Sequence, residues 1–141
     1  VEVLGLGGDD TITGRGGTGA GASFPNALVV DGGEGADTID GGAGGDTLSG
    51  GAGDDALSGR EGADTLDGGA DNDSVAGNDG NDDVTGGTGV DTLLGGENDD
   101  VLRADDDAAD TNVNGGRGSD TAYYDAGIDP QPVAVEVLVP A

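Results

Sequence analysis

Apolar residues recur every nine positions through the central part of the chain. Between Gly32 and Arg103 the sequence divides without gaps into eight nonapeptides, and the eighth position of each is a branched aliphatic residue. These residues are Ile39, Leu48, Leu57, Leu66, Val75, Val84, Leu93 and Leu102. Alternate side chains of an extended segment face opposite ways, so the aliphatic would point inward and its two neighbours outward. The pattern predicts a turn followed by one short strand in each nonapeptide.

Glycine and aspartate occupy fixed positions before each predicted strand. Position one is glycine in all eight nonapeptides and position six is aspartate. A glycine-rich stretch adopts left-handed backbone angles at no steric cost, so positions one to six predict a tight turn. Where glycine is missing at positions two and four, the chain mostly has Asp71, Asn78 or Asn98, which tolerate such angles best after glycine. Arg60 is the exception.

A repeated turn and strand predicts a solenoid. One nonapeptide cannot bury a single aliphatic by itself, but stacked coils can line these side chains into a continuous inner column. The column is thin, and the eight nonapeptides carry 18 acidic residues against two arginines, so the block repels itself. Apolar burial alone is therefore not expected to hold this fold together.

The composition excludes several classes of function. The 141 residues include 33 glycines, 30 acidic residues and four arginines, but no lysine, histidine, cysteine, methionine or tryptophan. Zinc sites built on histidine or cysteine, thiolate nucleophiles, disulfides and a Ser-His-Asp triad are excluded, as are lysine Schiff bases and P-loops. Four arginines cannot form the positive stripe that nucleic acids require. No apolar run is long enough to span a membrane, and no signal peptide opens the sequence. The carboxylates repeat evenly with no distinct pocket, so we expect no enzyme.

The carboxylates indicate a hard cation. Without thiolate or imidazole ligands, an oxygen-rich chain favours calcium or magnesium. A divalent ion between successive turns would neutralise facing aspartates, while backbone carbonyls filled its remaining coordination positions. Magnesium fits less well, because it prefers rigid six-coordination and retains its waters. We therefore expect Ca²⁺.

The nonapeptide, GGxGxDxUx with U aliphatic, resembles the calcium-binding repeat of the RTX (repeats-in-toxin) proteins. The resemblance covers the contiguous block 32–103, with GLGGDDTIT (5–13) upstream in the same frame and GGRGSDTAY (115–123) after an eleven-residue interruption. It implies an all-β fold, a right-handed parallel β-roll solenoid in which two nonapeptides make one coil. Calcium ions would lie between the turns of every second nonapeptide, which stack on each other, giving about six interior sites or more.

The resemblance also implies the ligands. The carboxylates would be those at position six, namely Asp37, Asp46, Asp55, Asp64, Asp73, Asp82, Asp91 and Asp100, with Asp10 and Asp120 in the outlying repeats. Carbonyls at positions two and four complete each site in the family. The matching glycines are Gly33, Gly35, Gly42, Gly44, Gly51, Gly53, Gly62, Gly69, Gly80, Gly87, Gly89 and Gly96.

The flanks depart from the repeat. Residues 1–31 are interpreted as irregular coils or a cap around the repeat at 5–13, and Leu28 stands where Asp10 would have its partner, two nonapeptides downstream. Residues 104–141 are interpreted as a bulged coil over 104–114, with Asp110 left open as a ligand, then one repeat and a cap. The alternation in VAVEVLV (133–139) predicts a last, half-buried strand.

The resemblance implies a function as well. We expect a calcium-binding module of a larger secreted bacterial protein, exported by a type I system and folding on calcium binding outside the cell or at its surface. The chain is expected to be monomeric. Three alternatives remain open: a calcium-dependent adhesive or carbohydrate-binding module, an accessory C-terminal domain of a secreted enzyme, and a disordered polyanion that ignores calcium.

Overall fold

The strands of the chain follow the nine-residue frame. A computed structural model describes residues 2–5, 7–14, 27–106 and 108–140. Its strands are β1 (Glu2–Leu4), β2 (Thr11–Thr13), β3 (Val29–Glu34), β4 (Thr38–Ala43), β5 (Thr47–Ala52), β6 (Ala56–Glu61), β7 (Thr65–Ala70), β8 (Ser74–Asp79), β9 (Asp83–Thr88), β10 (Thr92–Glu97), β11 (Val101–Ala104), β12 (Asn112–Arg117), β13 (Thr121–Tyr124) and β14 (Val137–Pro140).

The strands form two parallel sheets that face each other across the aliphatic column. One sheet has the order β1-β3-β5-β7-β9-β11-β13-β14, and the other has the order β12-β10-β8-β6-β4-β2. Strands β1 to β13 alternate between the sheets along the chain, so two nonapeptides make one coil. In the central coils each residue pairs with its equivalent two nonapeptides later, as Leu48 does with Leu66. The chain is an all-β parallel solenoid, as expected.

The strands are longer than the sequence suggests. In the central nonapeptides each strand has six residues, because it continues from positions seven to nine into positions one to three of the next nonapeptide. Glycine at positions one and two therefore lies within the sheet ladder. The turn proper is confined to positions four to six, where the aspartate lies.

The position-eight aliphatics form the core. All eight are buried, with at most 3% of their surface exposed. Val30 extends the column at one end, and Val113 and Ala122 extend it at the other. Their inward direction confirms the prediction from the apolar period.

The register changes at both ends. Strand β10 pairs with β12 so that Leu93 lies beside Val113, because the bulged coil is longer than a nonapeptide. Strand β2 pairs with β4 so that Thr11 lies beside Thr38, which is three nonapeptides further along the chain. This register brings Asp10 beside Asp37, so the expectation that Leu28 leaves Asp10 without a stacking partner is wrong. Residues 15–26, within this longer interval, lie outside the described residues.

The C-terminal strand is shorter and more exposed than predicted. Strand β14 begins at Val137, whereas Val133 makes only an isolated bridge with Asn114. Val137 is 51% exposed and Leu138 is 39% exposed, whereas Val135 is partly buried against the core, so the half-burial predicted for 133–139 is present in only part of the segment. The physical reason is that β14 is the edge strand of its sheet and pairs only with β13.

Candidate metal-binding turns

The position-six aspartates are joined from coil to coil by hydrogen bonds. The Asp37 amide donates to Oδ1 of Asp55 at 2.7 Å, and the Asp55 amide donates to Oδ1 of Asp73 at 2.8 Å. Repetition of this contact produces two stacks, which we call inner ladders A and B. Ladder A contains Asp10, Asp37, Asp55, Asp73, Asp91, Asp110 and Asp129. Ladder B contains Leu28, which contributes only its amide, then Asp46, Asp64, Asp82, Asp100, Asp120 and Glu136.

In most ladder carboxylates the second oxygen is buried and accepts no hydrogen bond. Among the residues that the structure describes, ten aspartates have such an Oδ2: Asp37, Asp46, Asp55, Asp64, Asp73, Asp82, Asp91, Asp100, Asp110 and Asp120. None of these ten residues is more than 4% exposed. A buried charged oxygen without a partner is strongly unfavourable, and such groups in folded proteins are paired or coordinate metals. The arrangement therefore calls for a cation.

The glycine at position one makes room for this oxygen. A Cβ built on Gly50 would meet Oδ2 of Asp55 and lie 2.8 Å from the Asp55 Cβ, and the other seven nonapeptides show the same closeness to Oδ2. No position-one glycine of the eight nonapeptides has a positive φ. A Cβ on Gly50 or Gly68 would also meet the carbonyl of the position-one glycine in the next coil. The invariance of this column therefore arises from space for both the carboxylate and this carbonyl, a cause that the repeat pattern alone does not reveal.

Positions two and four supply the left-handed backbone angles, the first within the strand and the second in the turn. Every glycine implied as a carbonyl ligand, from Gly33 to Gly96, has a positive φ between 102° and 145°. The substitutes Asp71, Asn78 and Asn98 have φ values of 80°, 82° and 78°, which confirms that they adopt these angles. Arg60 has a φ of 85°, and its guanidinium makes an ion pair with Asp40 at 2.7 Å.

The position-four carbonyls face along the stack. A Cβ built on Gly53 would meet the carbonyl of Gly35, and one on Gly62 would meet the carbonyl of Gly44. Gly35 and Gly44 hold position four in one coil, and Gly53 and Gly62 hold it in the next coil. The backbone oxygens implied as ligands therefore lie between successive coils, as the carboxylates do.

Burial makes the inner ladders favour protons. Removal from water raises the pKa of Asp73, Asp100 and Asp110 to about 7 and that of Asp64 to about 6, from an ordinary 3.8. The aspartates above and below raise these four pKa values further, although the amide donor lowers them. Burial likewise raises the pKa of Asp46, Asp55, Asp82, Asp91 and Asp120. A cation placed between the carboxylates would displace these protons.

The donor set fits calcium. Within the part of the chain that the structure describes, no group of three or more acidic side chains is arranged around one metal position, so each step of a ladder is taken to offer two carboxylates. Calcium takes six to eight oxygen ligands from carboxylates, carbonyls and water, in flexible geometry. Two carboxylates alone do not complete this coordination, so the carbonyls of the flanking turns would be needed as further ligands. All of these ligand atoms are oxygens, as calcium prefers.

Some ladder residues were not found from the sequence. Asp129 accepts the Asp110 amide at 3.0 Å through Oδ1 and the Asp125 amide at 2.7 Å through Oδ2. Glu136 accepts the Asp120 amide at 2.7 Å. Both lie outside the nine-residue frame, so no periodic signal marks them. Asp10, which the sequence left without a partner, donates its amide to Oδ1 of Asp37 at 2.7 Å.

The fold and its turns define a class, the parallel β-roll with metal-binding turns. A sequence profile of the RTX calcium-binding nonapeptide repeat, in four copies, matches residues 2–18, 31–66, 40–75, 49–84, 58–93 and 76–108, together more than half of the chain. The chain belongs to this family and is a calcium-binding β-roll module. No curated protein matches the sequence significantly. Within the described residues no helix could cross a membrane.

Proposed function

We propose that this chain is a calcium-dependent folding module, in which ions between stacked turns convert a glycine-rich polyanion into a β-roll. The observation that carries the proposal is the row of buried, partnerless Oδ2 atoms along both inner ladders. Oxygens of this kind oppose folding when they are ionised and favour it when a divalent ion joins them. The role is binding and structural, and no catalytic role is assigned.

The ladders support more sites than the repeat spacing implied. Six steps join aspartates two nonapeptides apart, and the steps Asp10 to Asp37, Asp91 to Asp110 and Asp100 to Asp120 bring the total to nine. The step from Asp110 to Asp129 differs, because both oxygens of Asp129 already accept amides. Nine calcium ions would add +18 to a chain of formal charge −26. Most of the self-repulsion would be removed.

The position-six carboxylates and the carbonyls at positions two and four would hold these ions. When bound, Ca²⁺ would supply the positive charge that neutralises the paired carboxylates. The chain itself contributes the spacing: a hydrogen bond from the backbone amide of the preceding coil to Oδ1 fixes the carboxylate, and the glycine at position one leaves room for Oδ2. In the folded coils the chain itself therefore fixes the orientation of the carboxylate.

The proposed setting is a secreted bacterial protein that folds after export. Extracellular calcium modules have dissociation constants of about 10⁻⁴–10⁻³ M, so they fill outside the cell and stay empty where calcium is scarce. A chain with 30 acidic and four basic residues remains expanded when no cation is bound. The same charge would keep it unfolded during passage and permit folding afterwards.

A calcium titration of the full chain tests the proposal. At a pH above the raised pKa values of the inner ladders, we expect far-UV circular dichroism to show coil in chelator and β structure in calcium, with a midpoint of about 0.1–1 mM and a fall in hydrodynamic radius over the same range. Magnesium at equal concentration is the ion control. Asp67→Asn, which removes an exposed charge outside the ladders, is the variant control and should behave as wild type. Identical spectra and radii in chelator and calcium would refute the proposal.

A further inference from the structure

A second set of side chains joins the turns on their outer side. Oδ1 of Asp54 accepts the Asn72 amide at 3.0 Å, and Oδ1 of Asn72 accepts the Val90 amide at 3.0 Å. The same contact is made at the fifth position of other units. These side chains, which we call together the outer ladder, are Asp9, Asp54 and Asn72 in the turns of inner ladder A, and Asn81 and Asp99 in the turns of inner ladder B.

The outer ladder runs opposite to the inner ladders. An inner Oδ1 accepts an amide from the preceding coil, as Asp73 does from Asp55. An outer Oδ1 accepts an amide from the following coil, as Asp54 does from Asn72. A turn with an outer-ladder residue is therefore joined both to the preceding coil and to the following coil.

The outer contact fixes a peptide group that carries a candidate ligand. The amide of Asn72 belongs to the same planar, trans peptide as the carbonyl of Asp71, so the two groups point in opposite directions. Asp54 holds the amide toward the preceding coil. The Asp71 carbonyl consequently faces the following coil, where a Cβ built on Gly89 would meet it.

Outer-ladder contacts occur at the two turns whose backbone is most strained. Among the eight nonapeptides, position four is not glycine in two, at Asp71 and Asn98, with φ values of 80° and 78°. A left-handed conformation is strained for a residue with a Cβ. In both cases the next amide is held, that of Asn72 by Asp54 and that of Asp99 by Asn81 at 3.3 Å.

We propose that the outer-ladder residues are positioning residues for calcium, because they orient the peptide between positions four and five so that its carbonyl faces the ion site between coils. The inference rests on the proposed calcium function. It assigns a role to position-five side chains, which the charge pattern alone indicates only as solubilising groups. The outer-ladder contact is missing at Ala63, because an alanine side chain offers no acceptor to the Asn81 amide.

Calcium release from the loaded full-length chain tests the inference. The chain is mixed with a fluorescent chelator in a stopped-flow instrument, and circular dichroism is followed in parallel. Asp54→Ala removes the acceptor and the charge, whereas Asp54→Asn keeps the acceptor. Asp67→Ala removes an exposed charge outside both ladders. Ala63→Asn adds an acceptor opposite the Asn81 amide.

We expect Asp54→Ala to release a subset of its ions about 2- to 10-fold faster, the range for loss of one hydrogen bond. Asp54→Asn and Asp67→Ala should release calcium at the wild-type rate, and Ala63→Asn should slow one phase of calcium release. Equal rates in Asp54→Ala and Asp54→Asn would overturn the positioning role. If Asp54→Ala does not fold, unchanged release from Ala63→Asn overturns it instead. A wild-type chain that binds no calcium would overturn the proposed function itself.

Discussion

Two neighbouring aspartates of inner ladder B differ in how many ion sites they border. Asp64 lies between Asp46 and Asp82, so it contributes to two carboxylate pairs. Asp46 has Asp64 on one side but only the amide of Leu28 on the other, so it contributes to one pair. Both residues are 2% exposed. Asp64→Asn and Asp46→Asn are therefore a matched pair that removes the same charge from equally buried positions.

The expected cost follows from the number of ions lost. With dissociation constants of about 10⁻⁴–10⁻³ M, each ion at about 10 mM calcium contributes roughly 1.4–2.7 kcal/mol to the free energy of unfolding. Asp46→Asn should lose one ion and about that much stability. Asp64→Asn should lose two ions and about twice as much. The asparagine can keep Oδ1 for the amide of the preceding coil, so the hydrogen bond is retained in both variants.

Equilibrium dialysis gives the number of bound ions, and denaturant unfolding at about 10 mM calcium gives the stability. The ratio of the two losses does not depend on the dissociation constant, which makes it the sharper quantity. Equal losses of bound calcium from Asp46→Asn and Asp64→Asn would refute the assignment of ions to carboxylate pairs. The loss of more ions from Asp46→Asn would refute it as well.

Three further predictions concern pH and the turns. Burial raises the pKa of Asp73 and Asp100 from 3.8 to about 7, so the folded metal-free chain holds protons that the unfolded chain releases. In chelator, its β content should therefore be highest at acid pH and should fall as the pH rises from about 4 through 7. Circular dichroism that shows the reverse would contradict this prediction. Gly50→Ala should lower the unfolding free energy of the calcium-loaded chain by about 1–3 kcal/mol, because its Cβ would collide with Oδ2 of Asp55; an unchanged denaturant midpoint would exclude this packing argument. Arg60→Gly should be more stable than Arg60→Ala by about 1 kcal/mol, because φ is 85° there; thermal melts with the opposite order would contradict the strain.

The repeat could be predicted from the sequence because each of its columns has a local physical cause. The aliphatic at position eight fixes which face is buried, and the aspartate at position six fixes where carboxylates meet. Asn78 and Asp71 could be given left-handed backbone angles since they stand where glycine otherwise does, and their φ values of 82° and 80° agree.

The ends could not be predicted in this way, because register there is set by pairing in space and not by the period. Asp10 reaches Asp37 across three nonapeptides, which a search at a spacing of two cannot find. Asp129 and Glu136 enter the ladders from irregular chain, where nothing in the local pattern distinguishes them from other acidic residues. The space that Gly50 leaves for Asp55 is likewise a contact that no propensity encodes.

The uniform pairing of every second nonapeptide has a consequence for how such a molecule varies in length. Removal of residues 50–67 would join Ser49 to Gly68 and bring Asp73 into the place of Asp55, with every remaining strand in its own sheet. Removal of a single nonapeptide would instead transfer all later strands to the opposite sheet. Growth and loss by whole coils are therefore neutral to the architecture, so that the length of the rod, and with it the reach of anything attached to its ends, can change without redesign of any single contact.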